Sequence, residues 1–478
     1  MRIAAGLTLA LAALLATPGA EAPAIDLPAD SAKGKDLLKE GDGLADKKET
    51  TEAVIRYKQA FEQLLPGLRK LPFKSEVKRD VTAREDLRAL LIKELDEDQT
   101  PAEFKTGELA LKVLGFIPRD LNWKDTLVKV YAEEIAAFYD PKTKTMHLIR
   151  EPGGEVKKLT FLESLLGVKQ GFDKDGNKTV IAHELTHALA DQHFDLDAMQ
   201  KAIEGDDDRS TALSALIEGE ATLAMIGSQM EDWDGSKIIT FPAADLDRIF
   251  SLMMPFMSLA GGASLRDAPP ILADGLIFPY LRGMVFCAKL ANDGGWAAIN
   301  EAYRNPPLST EQILHPEKYR AQPDPPTKVE LPKLEPGEGW SEVGRNVIGE
   351  FQLGILLRRH GGKGAAAGWD GDQFAVFEGP DKKLGLAWLT TWDTEDDARD
   401  FARQYARFQT TKLGEGATSP DAFPDLIRRA HAGADFVVER RGMDVAVVEG
   451  FADEATDRLL GAAFRSKKAE MPRPGGNR

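Results

Sequence analysis

Apolar residues in the first part of the chain follow a helical period. Within residues 31–130, three segments carry apolar side chains three and four positions apart, the spacing that places them on one face of an α-helix. These segments are Ala53 to Leu68, Arg84 to Leu95 and Ala102 to Leu114. We therefore predict a helical N-terminal part over about residues 30–130, with an architectural role.

Two short apolar runs then change the pattern. Ile135 to Tyr139 and Thr145 to Ile149 flank a turn that contains Pro141, which is typical of a β-hairpin. An exposed edge of such a hairpin can bind a peptide as an additional strand. A hairpin that only covers the core is an equally good interpretation.

The middle of the chain returns to helices. Thr179 to Ala190 is apolar nearly all round, as expected for a helix buried within a domain. Thr211 to Met225 is rich in small residues, which permit close packing against a neighbouring helix. Further helices are predicted at Leu246 to Leu259 and Phe278 to Ala291.

Five prolines between Gln322 and Gly339 predict a semi-rigid linker over residues 322–339. Residues 340–466 then alternate strand and helix patterns, starting with a helix from Val343 to Arg359. Strand pairs joined by tight turns indicate an α+β domain with an antiparallel sheet. The predicted fold class is thus α+β, with a mainly helical domain over residues 23–321 and a small sheet domain. Residues 467–478 are predicted to be a disordered tail.

The N-terminus has the pattern of an export signal. Arg2 precedes an apolar run from Ile3 to Ala16, and small residues follow, so residues 1–22 are interpreted as a signal peptide. A buried N-terminal helix or a membrane anchor is the alternative. No other apolar segment is long enough to cross a bilayer comfortably, so no span is expected after signal removal. Cys287 is the single cysteine, and an exported chain without disulfides suggests a bacterial periplasmic or extracellular protein.

The charge balance narrows the class of partner. Asp and Glu number 77 against 61 Lys and Arg, a formal net charge of −16. This acidity argues against nucleic acid or an anionic membrane as the partner.

The sequence His-Glu-Leu-Thr-His places His183 and His187 four residues apart. On a helix both imidazoles project from one face and can share one metal ion, typically zinc. Glu184 then reaches a metal-bound water as a general base. The alternative is a pair of histidines satisfied by hydrogen bonds in a helical core, where a buried helix gains little from them.

A third metal ligand has three candidates. His193 has the spacing of the metzincin pattern, but Ala190 stands where that pattern has glycine. If the helix continues, His193 points about 120° away from His187. The other two candidates are Glu218 and Glu220 on the helix rich in small residues.

The segment Ile217-Glu-Gly-Glu-Ala221 resembles the gluzincin peptidases, such as thermolysin-like enzymes and zinc aminopeptidases. Their third ligand is a glutamate on a downstream helix, within patterns such as NEGFA or ExxAD. The resemblance implies a zincin-like fold with Glu218 as the ligand, although Ile217 replaces the Asn and Thr222 replaces the Asp. Glu220 remains an alternative third ligand, since it shares the buried face of this helix.

Gluzincins also place a His or Tyr downstream to stabilise the oxyanion, which implies His315 or Tyr319 here. Asp191 is a candidate partner for a ligand imidazole. Residues 50–330 further resemble a group of uncharacterised bacterial exported proteins with zincin-type sites. The expected function is an exported zinc metallopeptidase acting on a peptide or protein. A non-catalytic zincin-fold binding protein, or a zinc hydrolase of a non-peptide bond, is the alternative.

Overall fold

A computed structural model describes residues 30–98, 100–135, 137–150, 174–260, 263–358, 362, 364–412, 425–429 and 436–472. The predicted signal peptide lies outside these residues, as does the end of the chain from residue 473.

The N-terminal part is helical, as predicted, and local sequence sets several helix ends. Asp30 caps the first helix by accepting a hydrogen bond from the Lys33 N–H. Thr100 and Glu103 form a reciprocal capping box, with a proline at the first helical position. The helices are α1 (Ser31–Asp46), α2 (Thr50–Arg69), α3 (Arg84–Asp98), α4 (Pro101–Leu114) and α5 (Trp123–Glu134).

The predicted hairpin is present within a three-stranded sheet. Strand β2 (Ala137–Asp140) pairs antiparallel with β3 (Thr145–Arg150). A strand that was not predicted, β1 (Lys78–Ala83), pairs parallel with the other side of β3. The strand order β1-β3-β2 leaves β2 at an edge of the sheet.

Two long buried helices cross at the centre of the protein. They are α8 (Asp207–Gln229) and α11 (Pro270–Arg304), the second of which is kinked at Gly294 and Gly295. A Cβ on Gly219 of α8 would lie 2.1 Å from the Gly283 carbonyl carbon of α11, so only glycine permits this approach. The other helices of this part are α6 (Lys174–Phe194), α7 (Leu196–Lys201), α9 (Ala243–Ala260), α10 (Ala263–Asp267), α12 (Thr310–Leu314) and α13 (Pro316–Tyr319).

By length and composition, α11 is the one helix among the described residues that could cross a membrane. Within this fold 78% of its most apolar window is buried, as is usual for the core helix of a globular protein, so the observation is weak support for a span.

The C-terminal part is an antiparallel sheet with helices on its faces. Its six strands lie in the order β5-β6-β7-β10-β9-β8, and every neighbouring pair is antiparallel. The elements are β4 (Thr327–Glu330), β5 (Ser341–Asn346), α14 (Gly349–Arg358), β6 (Trp369–Glu378), β7 (Leu384–Trp392), α15 (Glu395–Lys412), β8 (Leu426–Arg429), β9 (Phe436–Arg441), β10 (Asp444–Glu449), α16 (Asp453–Ala463) and β11 (Lys467–Glu470). The mixed α+β class, with a mainly helical part before a sheet domain, is confirmed.

The two faces of this sheet pack differently. One face of the sheet carries Trp388, which packs against Phe401 and Tyr405 of α15. These residues belong to the same continuous core as α8 and α11. The other face packs against α16 and forms a separate cluster with Val329. The sheet domain is therefore joined to the helical part by buried apolar contact as well as by the chain.

Three local predictions differ from the structure. The segment interpreted as a linker contains β4, and Val329, Leu331 and Leu334 are buried in the sheet domain. Residues 467–470, interpreted as part of a disordered tail, form β11, which pairs with β4. Val343 lies in β5, and the helix predicted to begin there begins at Gly349.

Candidate metal centre

Helix α6 presents His183 and His187 on the side that faces α8. The helix is continuous through both residues, and their side chains are buried, with His183 2% and His187 5% exposed. Their ring centroids lie 4.6 Å apart at right angles, as expected for residues one turn apart whose Nε2 atoms converge.

Glu218 of α8 completes the group. Its Oε2 lies 3.1 Å from His183 Nε2 and 3.4 Å from His187 Nε2, and the two nitrogens are 3.0 Å apart. In tetrahedral zinc coordination with bonds of about 2.0–2.1 Å, neighbouring donors lie about 3.3 Å apart. The three donor atoms therefore have the chemistry and spacing of a zinc site that leaves one position open.

The charges of the cluster favour a cation between the three donors. Burial alone would raise the pKa of Glu218, but the charge of His187 and the hydrogen bonds from both imidazoles lower it to about 2. Burial would lower the pKa of His187, but Glu218 outweighs that effect and raises it to about 9. The donor set therefore attracts positive charge, and binding of a metal ion is expected to compete with protonation of the imidazoles.

Glu184 faces the same space without belonging to the donor group. Burial raises the pKa of its carboxyl group, while the neighbouring imidazoles oppose that shift. The backbone of Tyr139 in β2 also lies close enough to lower the pKa of Glu184. The edge strand β2 therefore lies against the candidate base.

Tyr280 of α11 is a residue of the site that sequence reasoning missed. Its ring stacks on His183 with centroids 5.9 Å apart, and its phenol group lies close enough to the Glu218 carboxylate for the two to interact electrostatically. Burial, and then the charges of Glu218 and Glu184, raise the pKa of this phenol well above its usual range. The available signal was a phenol in an otherwise apolar helix, Phe278-Pro279-Tyr280.

Tyr280 also helps to orient His183. The Nδ1 atom of His183 is buried and has no hydrogen-bond partner in the part of the chain that the structure describes. A ligand histidine usually donates this N–H to a carboxylate or carbonyl group. Here the ring contact with Tyr280 supplies the restraint instead.

Glu220, the alternative third ligand, makes a different set of contacts. Its carboxylate accepts hydrogen bonds from Arg69 of α2 and from the Tyr303 hydroxyl group. Arg69 also donates to Asn300 at 3.0 Å and stacks over Trp296. The structure therefore joins Glu220 to a buried ion pair rather than to the histidines.

The other candidates from the metal helix also lie outside the cluster. His193 Nε2 lies 2.7 Å from the Pro72 carbonyl oxygen, because α6 continues through Phe194 and turns the imidazole away. Asp191 accepts hydrogen bonds from the Tyr139 hydroxyl group and from Lys144, both at 2.8 Å. It anchors the β2–β3 hairpin and does not orient a ligand imidazole.

The structure does not group His315 and Tyr319 with the metal cluster. His315 Nε2 lies 3.0 Å from Glu350 of α14, and this hydrogen bond raises the pKa of the imidazole. The Tyr319 hydroxyl group donates to the Asn305 carbonyl oxygen at 2.6 Å. Both side chains help to hold the short helices α12 and α13 in place. The oxyanion-stabilising role that the resemblance implied for His315 or Tyr319 therefore does not fit their contacts.

A second group of carboxylates is already neutralised by a lysine. Glu311, Asp324 and Asp393 surround Lys318, whose Nζ lies 2.6, 3.0 and 2.5 Å from their oxygens. The ammonium group fills the position that a cation would take, so this group ties α13 to the end of β7.

Comparison with protein families gives one match. Residues 337–460 match a family described as a domain of unknown function, DUF8575. Comparisons with curated proteins and with solved structures give no match. The matched residues cover most of the sheet domain and none of the residues of the metal cluster.

Proposed function

We propose that this protein is a zinc-dependent hydrolase that cleaves peptide bonds. The observation that carries the proposal is the convergence of His183, His187 and Glu218 beside a second carboxylate, Glu184, that is not one of the three donors. From the pattern of residues 1–22 we propose in addition that the protein is exported by a bacterial cell, as a peptidase of the periplasm or the extracellular space.

The residues of the cluster fit the chemistry of peptide hydrolysis. A zinc ion held by His183, His187 and Glu218 would polarise the scissile carbonyl group and acidify a water molecule. Glu184 accepts the proton of the attacking water and later delivers it to the leaving amine. The nearby backbone of Tyr139 favours the ionised form of Glu184, which is the form that accepts a proton.

Tyr280 takes the role that the sequence pattern suggested for His315 or Tyr319. Its phenol group remains protonated at neutral pH and lies beside both carboxylates of the site. From this position it donates a hydrogen bond to the oxyanion that forms when water adds to the carbonyl carbon.

The position of β2 supports a peptide as the substrate. β2 is an edge strand of its sheet, and Tyr139 in this strand lies near Glu184. An extended peptide that adds to this edge would pass directly beside the base and the donor group. Backbone pairing of this kind selects for a polypeptide over other hydrolysable compounds.

The burial of the cluster supports a second candidate, a non-catalytic protein in which zinc stabilises the fold. Glu218 is 1% and His183 2% exposed, which is typical of a closed structural site. Structural zinc sites, however, usually have four protein ligands, whereas three donors converge here among the residues that the structure describes. The open position favours catalysis.

Metal analysis and a peptide-library digest of the purified protein test the proposal. Wild type is expected to contain zinc and to cleave peptides, whereas His183→Ala is expected to lose both properties. Glu184→Gln should keep the zinc and lose the activity, because an amide cannot act as the base. A Glu184→Gln variant that lacks zinc would show that Glu184 is a ligand, and wild type with zinc but without peptide cleavage would favour the structural site.

A further inference from the structure

The N-terminal end of α8 is held by the start of α12. Asp208, in the first turn of α8, is 1% exposed, and its carboxylate accepts hydrogen bonds from the backbone N–H of Thr310, at 3.0 Å, and from the Thr310 hydroxyl group. The Thr310 oxygen in turn accepts the backbone N–H of Phe351 at 3.1 Å. Because Phe351 lies in the first turn of α14, the starts of three helices meet at these two side chains.

The sheet domain makes further contacts with the same end of α8. Gly349 has a φ of +75°, and a Cβ atom there would lie 1.7 Å from Asp208 Oδ1, so the backbone of the sheet domain closes directly on this carboxylate. The Asp207 N–H donates to Asn346 Oδ1 at 3.0 Å. Two consecutive residues of α8 are therefore in contact with the β5–α14 connection.

Helix α14 also contacts the helix that carries Tyr280. The Phe351 ring stacks on Phe278 of α11 with centroids 3.9 Å apart, two residues before Tyr280. Arg358, at the other end of α14, forms an ion pair with Asp274 of α11. One helix of the sheet domain thus contacts both α8 and α11.

Displacement at Asp208 would reach the metal cluster. Ten residues separate Asp208 from Glu218, about 15 Å along the helix axis. Residues 210–225 are all buried in one continuous helix, so a tilt of its first turn is expected to be transmitted along the packed segment. Metal ligands must be held within about 0.5 Å of their productive positions, a tolerance that a small tilt of α8 exceeds.

We propose that the β5–α14 connection of the sheet domain positions the metal centre through its contacts with Asp208 and Thr310, two residues of the helical part that fix the location of Glu218. This inference rests on the proposed function, since it presumes that the cluster binds zinc. It assigns the sheet domain a task in the same molecule, which is to hold the helix that supplies the third ligand.

Thr310→Val tests the inference, with Thr390→Val as its matched control. Both threonines are fully buried, and the hydroxyl group of each joins two partners; Thr390 donates to the Val445 carbonyl oxygen and accepts from Trp392. Thr390 lies in the sheet and forms no hydrogen bond with Asp208 of α8, in contrast to Thr310. The measurements are the melting temperature of the metal-free protein and the zinc dissociation constant by chelator competition.

Thr310→Val is expected to raise the zinc dissociation constant about tenfold, the effect typical of removing an orienting partner, and to change the absorption spectrum of bound Co²⁺. Thr390→Val should lower the melting temperature and leave the zinc constant unchanged. The milder Asp208→Asn, which keeps the side-chain size, should act in the same direction as Thr310→Val and serves if that variant does not fold. If Thr310→Val and Asp208→Asn both had the zinc dissociation constant of wild type, this inference alone would be overturned. If wild type bound no zinc, the proposed function would be overturned as well.

Discussion

Glu218 and Glu220 form a natural matched pair for testing the metal site. The two residues are two positions apart on α8, both are 1% exposed, and they differ in the groups they contact. Glu218 contacts the two histidines, whereas Glu220 contacts Arg69 and Tyr303. We therefore expect Glu218→Ala to affect metal binding and Glu220→Ala to affect stability.

The expected magnitudes follow from these contacts. Binding of zinc by four protein ligands is worth about 10–16 kcal/mol, or about 2.5–4 kcal/mol for each ligand. Because about 1.4 kcal/mol corresponds to a factor of ten, Glu218→Ala should weaken zinc binding by about 10²–10³-fold. Glu220→Ala leaves Arg69, which is fully buried, without its carboxylate, and breaking such a pair costs about 3–5 kcal/mol of unfolding free energy.

Chelator competition and urea unfolding of the metal-free protein separate the two effects. Glu218→Ala should show the large loss of zinc affinity, with a smaller change in unfolding free energy than its partner variant. Glu220→Ala should unfold at lower urea and still bind zinc while it is folded. If Glu220→Ala lost zinc with its stability intact, or Glu218→Ala retained zinc, the assignment of the third ligand would be wrong.

Two further predictions concern other groups. Tyr280→Phe should lower kcat by about 10²–10³-fold with little change in KM, because an oxyanion donor acts only in the transition state. His315→Ala should instead lower the melting temperature and leave kcat nearly unchanged, because the partner of His315 is Glu350. A larger loss of kcat in His315→Ala than in Tyr280→Phe would return the oxyanion role to His315. Burial raises the pKa of Asp372 to about 7 despite the hydrogen bonds that this carboxyl group accepts. The folded state therefore favours the neutral acid. The stabilisation that the neutral acid provides is lost as pH rises from about 4 to about 7, by at most about 4 kcal/mol. Melting curves of wild type and Asp372→Asn should therefore shift in favour of the variant between pH 5 and pH 8, and a constant difference between the two proteins would contradict the shifted pKa.

The helices of the metal cluster could be predicted because their signals are local. The His183 and His187 spacing needs only one turn of helix to bring both imidazoles to one face. The choice between Glu218 and Glu220 could not be made in the same way. Helix α8 is buried on all sides, so hydrophobic periodicity does not distinguish its faces, and the partner that distinguishes Glu220 is Arg69, which is 151 residues away in the sequence.

Long-range contacts also explain the incorrect predictions. The prolines near β4 indicated a linker, but its pairing partner β11 lies about 140 residues later and was not visible as a strand. The apolar positions that begin at Val343 fit a helical period, although an antiparallel partner in β6 makes that segment a strand. In both segments tertiary pairing outweighed the local pattern.

Tyr280 illustrates why the remaining part of the site is invisible in the sequence. The local signal is only a phenol in an apolar stretch of helix, and the place of Tyr280 beside Glu218 results from the crossing of α8 and α11 at Gly219 and Gly283. A Cβ atom at either glycine would force the two helices apart and move the phenol group away from the carboxylate. The same α8 is held at its middle by Arg69 and at its start by the contacts of Asp208. The position of the third donor is therefore determined by segments on both sides of the metal motif, although the other two donors come from one helical turn.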